Sequence, residues 1–343
     1  MLIPSFTETT PTLENYWRAI ILFGRNVASY KFALAKSLLE LDRKSGDLVR
    51  LEELAVPFSR HICEHLQNER KQSTSSSSRF LEVCEKFNQG EITQDALVDF
   101  TVRLGFNNVL DAFHNVNQQE LPVRFFVDAR HAGGIRLTDD FFTLSSTHEV
   151  RNLPQEVEAR WRLVETAWAL NISRNVIAID YDDESGILYP RSLGRRKSIT
   201  SCRGALNGYQ KGKCFYCSRP ISVLAHDEEV ADVDHFFPHV LAGLSELFAP
   251  LINGVWNLVL ACSECNRGQG GKSARIPKLK LLERLHLRNE FLISSHHPLR
   301  ETIIAQTGTS EPLRRDFLQT KYGAARSVII HTWEPSHQSD PVL

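Results

Sequence analysis

Four cysteines stand in two Cys-x-x-Cys units, Cys214 with Cys217 in "KCFYC" and Cys262 with Cys265 in "ACSECNRGQGGK", residues 261–272. Four thiolates so spaced make a closed tetrahedral site that suits Zn²⁺, an ion without redox chemistry and with a high affinity for sulfur. A closed site is structural, since no position is left open for a substrate. The 44 residues between Cys217 and Cys262 exceed what a plain zinc ribbon holds, so the metal is expected to clamp the base of an inserted unit. Its binding energy then becomes folding energy for a region with little core of its own. A redox dithiol fits poorly, because two pairs are present and neither opens a thioredoxin-like unit. Cys63, Cys84 and Cys202 read as buried packing residues or bystanders.

Inside that loop, "ADVDHFFPHVL" (residues 231–241) alternates apolar and polar residues up to Asp234 and His235 and breaks at Pro238. The pattern predicts a strand delivering two side chains to a turn. Neighbours in a regular strand have Cβ atoms on opposite sides, so the strand must bend there if both are to face one group. Downstream, residues 256–261 read as a second strand bearing Asn257, and Ser263 onward as a loop or short helix bearing Asn266. Asn253, in "ING", is a turn residue by composition, and a shifted register would exchange it with Asn257.

The set resembles the HNH (His-Asn-His) endonucleases, the ββα-metal finger nucleases, in a zinc-bracketed form with Asn in the third place. It is similar to the HNH domain of the RNA-guided CRISPR effector nuclease. The match covers about residues 201–285, and five elements occur in order: Cys-x-x-Cys, Asp-His-x-x-Pro, Asn-Leu-Val-Leu, Cys-x-x-Cys, and Asn-Arg beside the second pair. Phosphodiester hydrolysis needs an activated water and a stabilised leaving oxygen, which an imidazole and a divalent cation can supply. A carboxylate and an amide oxygen are hard ligands, too few for a full cage, and suit Mg²⁺ or Mn²⁺ that keeps waters. The resemblance implies His235 as general base, Asp234 and Asn266 as ligands of that second ion, and Asn257 as the residue ordering the loop that carries His235. It also implies 5′-phosphate and 3′-hydroxyl products. One such site cuts one strand, so nicking is the expected outcome. Stand-alone HNH proteins with an unrelated N-terminal half look like effectors of bacterial anti-phage systems such as Zorya or Septu, or like restriction enzymes. Partners from a defence operon are what that analogy implies.

The 343 residues carry a net charge of −1, but the charge is unevenly placed. From Arg191 to Arg219 there are eight Lys or Arg and no acid, and from Arg267 to Arg288 seven against Glu283 alone. These runs flank the acidic stretch 227–234, a footprint for a polyanion around a site for a cation, with double-stranded DNA the expected partner. Arg267 and Lys272, beside glycines, together with Arg203 and His239, are candidate DNA contacts. No signal segment opens the chain and no apolar stretch approaches the ~20 residues that span a bilayer. An intracellular, cytoplasmic protein without a membrane partner is expected.

The elements that must position these groups form an α+β chain: a mostly helical domain over residues 1–189, a basic linker at 190–200, the HNH domain with its four-cysteine zinc site at 201–295, and a C-terminal extension at 296–343. One long helix is expected from Tyr16 to a stop near Lys44, with others over about 51–71, 79–88, 94–104 and 156–172. "STSSSS" at 73–78 reads as a loop, and hairpins are expected to turn at Gly133 and Gly134 and through Asp182 to Gly186. His61 and His65, four apart on a helix without a third ligand, suit a structural role better than a metal. The competing functional class is a non-catalytic zinc module that binds nucleic acid through its basic runs.

Overall fold

A computed structural model describes residues 12–23, 28–41, 48–75, 78–116, 119–169, 179–182, 185–190, 200–224, 226–248, 251–294 and 298–336. Helix and sheet are mixed, and the chain divides into two compact units, one over Pro11–Asn171 and one over Ile172–Leu343. The division falls before the second hairpin, which the sequence pattern places in the first domain. That hairpin pairs with a strand beyond residue 199 and so travels with the second unit. Most of the expected linker, 191–199, lies outside the described residues.

In the first unit, α1 (Leu13–Phe23) and α2 (Tyr30–Glu40) replace the single long helix expected. The Ser29 N–H bonds the Gln72 carbonyl at 3.0 Å and Ala28 bridges Ser73, drawing the backbone out of helical pairing before α2 begins. Next come β1 (Leu48–Arg50), α3 (Leu51–Asn68), α4 (Arg79–Asn88), α5 (Gln94–Phe100), β2 (Phe126–Ala129), β3 (Gly134–Leu137), α6 (Asp139–Ser146) and α7 (Leu153–Ala169). Ser78, Thr93 and Thr138 cap α4, α5 and α6, each accepting the N–H three residues on. The β2–β3 hairpin turns at Gly133, whose φ of 85° is costly for any residue with a Cβ, and β1 pairs along β3.

An aromatic core of Trp17, Phe32, Phe58, Phe113, Phe125 and Trp161 fills this unit. Beside it sits a buried polar knot: His65 stacks on Trp161 at 3.5 Å and bonds Glu165 at 2.7 Å and Glu158 at 3.2 Å. Gln72 donates to Glu165 and accepts from the Trp161 indole, both at 2.8 Å. His61 bonds Glu40 at 2.8 Å, so both histidines of α3 have carboxylate partners within the unit.

The second unit holds β4 (Ile179–Asp182), β5 (Ile187–Pro190) and β6 (Thr200–Ser201) in one antiparallel sheet, then α8 (Cys202–Gln210). β7 (Asp232–His235) pairs antiparallel with β8 (Leu258–Ala261), Asp234 opposite Val259 and His235 opposite Leu258. Then follow α9 (Ser263–Arg267), β9 (Ile276–Pro277), α10 (Leu279–Ser294), α11 (Pro298–Thr307), α12 (Glu311–Val328) and β10 (Thr332–Trp333). All four β8 residues are fully buried. The free edge of β8 is closed by side chain as well as backbone: Gln210 donates to the Leu260 carbonyl at 2.8 Å and accepts its N–H at 2.7 Å, while Phe215 N–H donates to that carbonyl at 2.9 Å. Arg288 and Asn289 of α10 satisfy the carbonyls of Val255, Trp256 and Leu258 just upstream. Among the described residues no helix is long and apolar enough to cross a membrane.

Two buried imidazoles make the first unit acid-sensitive. His114 is 2% exposed and its Nε2 accepts the Phe125 N–H at 3.0 Å, and burial lowers its pKa to about 3; burial lowers His61 to about 3 as well. A folded-state pKa below the free value of about 6.5 gives stability that is full above that pH and lost as pH falls toward the folded value. His65 has the opposite sign: against the effect of burial, Glu158 and Glu165 raise its pKa, so its contribution is complete below about 6.5 and lost at higher pH. Urea unfolding between about pH 6.5 and 5 should therefore show stability falling by up to about 1.4 kcal/mol per pH unit for each of His61 and His114. His114→Asn should flatten that slope, and a wild-type profile with no slope contradicts the burial argument.

Candidate functional site

The sulfurs of Cys214, Cys217, Cys262 and Cys265 all lie within 4.8 Å of one another, with Cys217 and Cys262 3.8 Å apart. A metal–sulfur bond of about 2.3 Å in a tetrahedron puts neighbouring sulfurs about 3.8 Å apart, whereas a disulfide would bring them to about 2.05 Å. The cluster is thus sized for a four-coordinate ion such as zinc. Its knuckles are preformed: Ser218 turns with φ 63° and bonds the Cys214 carbonyl at 3.0 Å, and Asn266 N–H bonds the Cys262 carbonyl at 3.0 Å. Among the described residues, this is the set of His, Cys, Asp and Glu that converges for a metal.

Cys265 and its neighbours lead straight to β7. Asn266 and Arg267, ending α9, donate to the Asp232 carboxylate at 3.1 and 2.9 Å. Two residues along the strand, on the same face by alternation, Asp234 accepts the Tyr216 hydroxyl at 2.5 Å and the Lys272 ammonium at 3.0 Å. Lys272 is fully buried, so it is not a surface phosphate contact as its place among glycines suggests. Burial depresses the Lys272 pKa against the pull of Asp234, and burial with Asp234 raises that of Tyr216 well above its ordinary value. The structure joins Asn266 to Asp232 and Asp234 to Lys272, rather than Asn266 to Asp234 directly. Hard cations take oxygen donors, and a carboxylate keeps lone pairs beyond two hydrogen bonds. Asp232 and Asp234 thus present carboxylate oxygens along one face of β7, with the Asn266 amide bonded to Asp232. Asp232 is the member that sequence reasoning misses; its signal is the i, i+2 spacing to Asp234.

His235 ends β7 on the other side of the strand. The expected bend between it and Asp234 is absent from the ladder, which runs in register through both. Its Nε2 lies 2.9 Å from Asn253 Oδ1, and its ring packs near Tyr181 (6.1 Å) and the exposed His239 (5.5 Å). Asn257, fully buried, accepts the Phe237 N–H at 2.8 Å and donates to the carbonyls of Phe237 at 3.1 Å and Ile252 at 2.8 Å. It therefore holds the segment following His235, while Asn253, the turn residue, meets the imidazole itself. Asn257 sits in a single turn before β8, not in the strand, because its N–H bonds the Gly254 carbonyl at 2.8 Å. Of the expected DNA contacts, Arg267 is 71% exposed in its side chain, whereas Arg203 reaches the Ala231 carbonyl at 2.6 Å and so braces the start of β7.

Comparison with family models, curated proteins and solved structures found no match.

Two outcomes follow from this geometry. Chelation, or Cys217→Ser, should collapse the circular dichroism and protease resistance of the second unit; retention of both would deny the cluster a structural metal. Asp234→Ala should lower stability by about 3–5 kcal/mol, because it strands the buried Lys272 ammonium. Asp234→Asn keeps an acceptor and should cost less, and Lys272→Met in the Asp234→Ala background should recover part of the loss. Equal melting temperatures for all three variants and the wild type would rule out the pair's role.

Proposed function

We propose that the chain is a metal-dependent DNA endonuclease that hydrolyses phosphodiesters, with His235 as general base on the attacking water. The observation that supports this reading is a set of three features on one short sheet: an imidazole ending β7, oxygen donors on the opposite side of β7 and on α9, and a four-sulfur cluster from which α9 starts. Asp234 and Asn266, joined by Asp232, would hold Mg²⁺ or Mn²⁺, which supplies charge stabilisation for the leaving oxygen and the phosphate. Zn²⁺ at the cysteines is structural, since four thiolates leave it no open position. Asn257 keeps the backbone after His235 in place, and exposed Arg267 and His239 are available to phosphate oxygens. Nicking of one strand is the expected reaction, and a role in defence against phage is what the family resemblance suggests.

One observation favours the rival reading, a zinc-dependent nucleic-acid binder: Lys272 and Arg267 already neutralise Asp234 and Asp232. Supercoiled plasmid incubated with Mg²⁺ or Mn²⁺ separates the two. The endonuclease converts it to open circles, and His235→Ala slows this by about 10²–10⁴-fold while leaving the mobility shift intact. A binder shifts plasmid equally in both forms and cuts it in neither.

A further inference from the structure

His235 is gripped by a side chain that the family resemblance does not assign. Its Nε2 faces Asn253 Oδ1 at 2.9 Å, and an amide oxygen can only accept. The proton of the neutral ring must then sit on Nε2, which puts the basic lone pair on Nδ1. Asn253 is itself well held. It lies in the turn closed by Gly254 N–H on the Leu251 carbonyl at 3.0 Å, and the preceding Ile252 carbonyl is bonded by Asn257. The same Asn257 amide clasps Phe237 on both its N–H and its carbonyl, two residues after His235. One buried side chain therefore locks together the turn that presents Asn253 and the segment that presents His235. Asn257 works on backbone alone; Asn253 addresses the imidazole.

We propose that Asn253 is a positioning residue for the reaction above, fixing His235 in the Nε2–H tautomer so that Nδ1 takes the proton from water. The proposal rests on the endonuclease reading. In the step, a water O–H bond breaks and its proton goes to Nδ1, the water oxygen bonds phosphorus, and the bond to the 3′ oxygen breaks. That oxygen takes a proton from solvent, and Asn253 still accepts from Nε2–H in the imidazolium that results.

The test uses the full zinc-loaded chain with ¹⁵N-labelled histidine, His235 being assigned among the 13 histidines by its loss in His235→Gln. At a pH where the ring is neutral, two-bond ¹⁵N–¹H patterns should show protonated Nε2 and bare Nδ1 in the wild type, and a mixture of tautomers in Asn253→Leu. On plasmid, Asn253→Leu should lower kcat about 10–100-fold with KM unchanged, and Asn253→Asp, which restores an acceptor oxygen, should recover most of it. A wild-type ring protonated on Nδ1, or an Asn253→Leu chain with wild-type kcat, overturns the proposal. A wild-type chain that shows the Nε2–H signature but never cuts plasmid refutes the endonuclease reading, and with it the catalytic sense given to Asn253.

Discussion

Four sulfur atoms gathered within 4.8 Å are the constraint from which the second unit is built. They tie residues 214–217 to residues 262–265 and leave between them a loop whose strands, among the described residues, form a two-stranded sheet. A pair of four-residue strands is marginal in water by itself. Here β8 runs directly into the second knuckle, α9 starts on it, and the first knuckle closes the β8 edge through Phe215. The four-cysteine cluster and the sheet thus form one cooperative object, and the oxygen-bearing side chains of β7 and α9 inherit their spacing from it.

A second constraint is electrostatic. Two carboxylates at i and i+2 on a partly buried strand face repel each other and resist desolvation, unless cations or strong donors are supplied. The chain supplies Lys272 and Tyr216 to Asp234, and Arg267 and Asn266 to Asp232. Lys272 is committed because it is wholly buried, whereas Arg267 is largely exposed. This face of β7 therefore holds one buried countercharge and one exposed one.

How much of this is legible in the sequence depends on the range of the interaction. The cysteine knuckles, β7, the Gly133 turn and the Gly186 turn are set by neighbours a few residues apart, and each emerges where the sequence pattern puts it. The single long helix does not run on through Ala28 and Ser29, because the Ser29 N–H is captured by Gln72, a contact more than 40 residues away. Lys272 reads as a surface cation because lysine is seldom buried, and nothing local announces that Asp234 will meet it. The two asparagines are told apart only by coordinates: spacing identifies both Asn253 and Asn257, but not which takes backbone and which the imidazole. The domain boundary falls earlier than composition suggests, since the shift at Arg191 is chemical, whereas the 179–190 hairpin joins the second unit through β6.

The proposed reaction requires a hard divalent ion beside β7, separate from any ion held by the four cysteines. Anomalous diffraction from crystals soaked in Mn²⁺, recorded at the manganese and zinc edges, tests it directly. The account predicts a zinc peak among the four cysteines and a distinct manganese peak in contact with Asp234, Asn266 and Asp232. Zinc density alone, with Lys272 still against Asp234 and no manganese on that face of the strand, would contradict it.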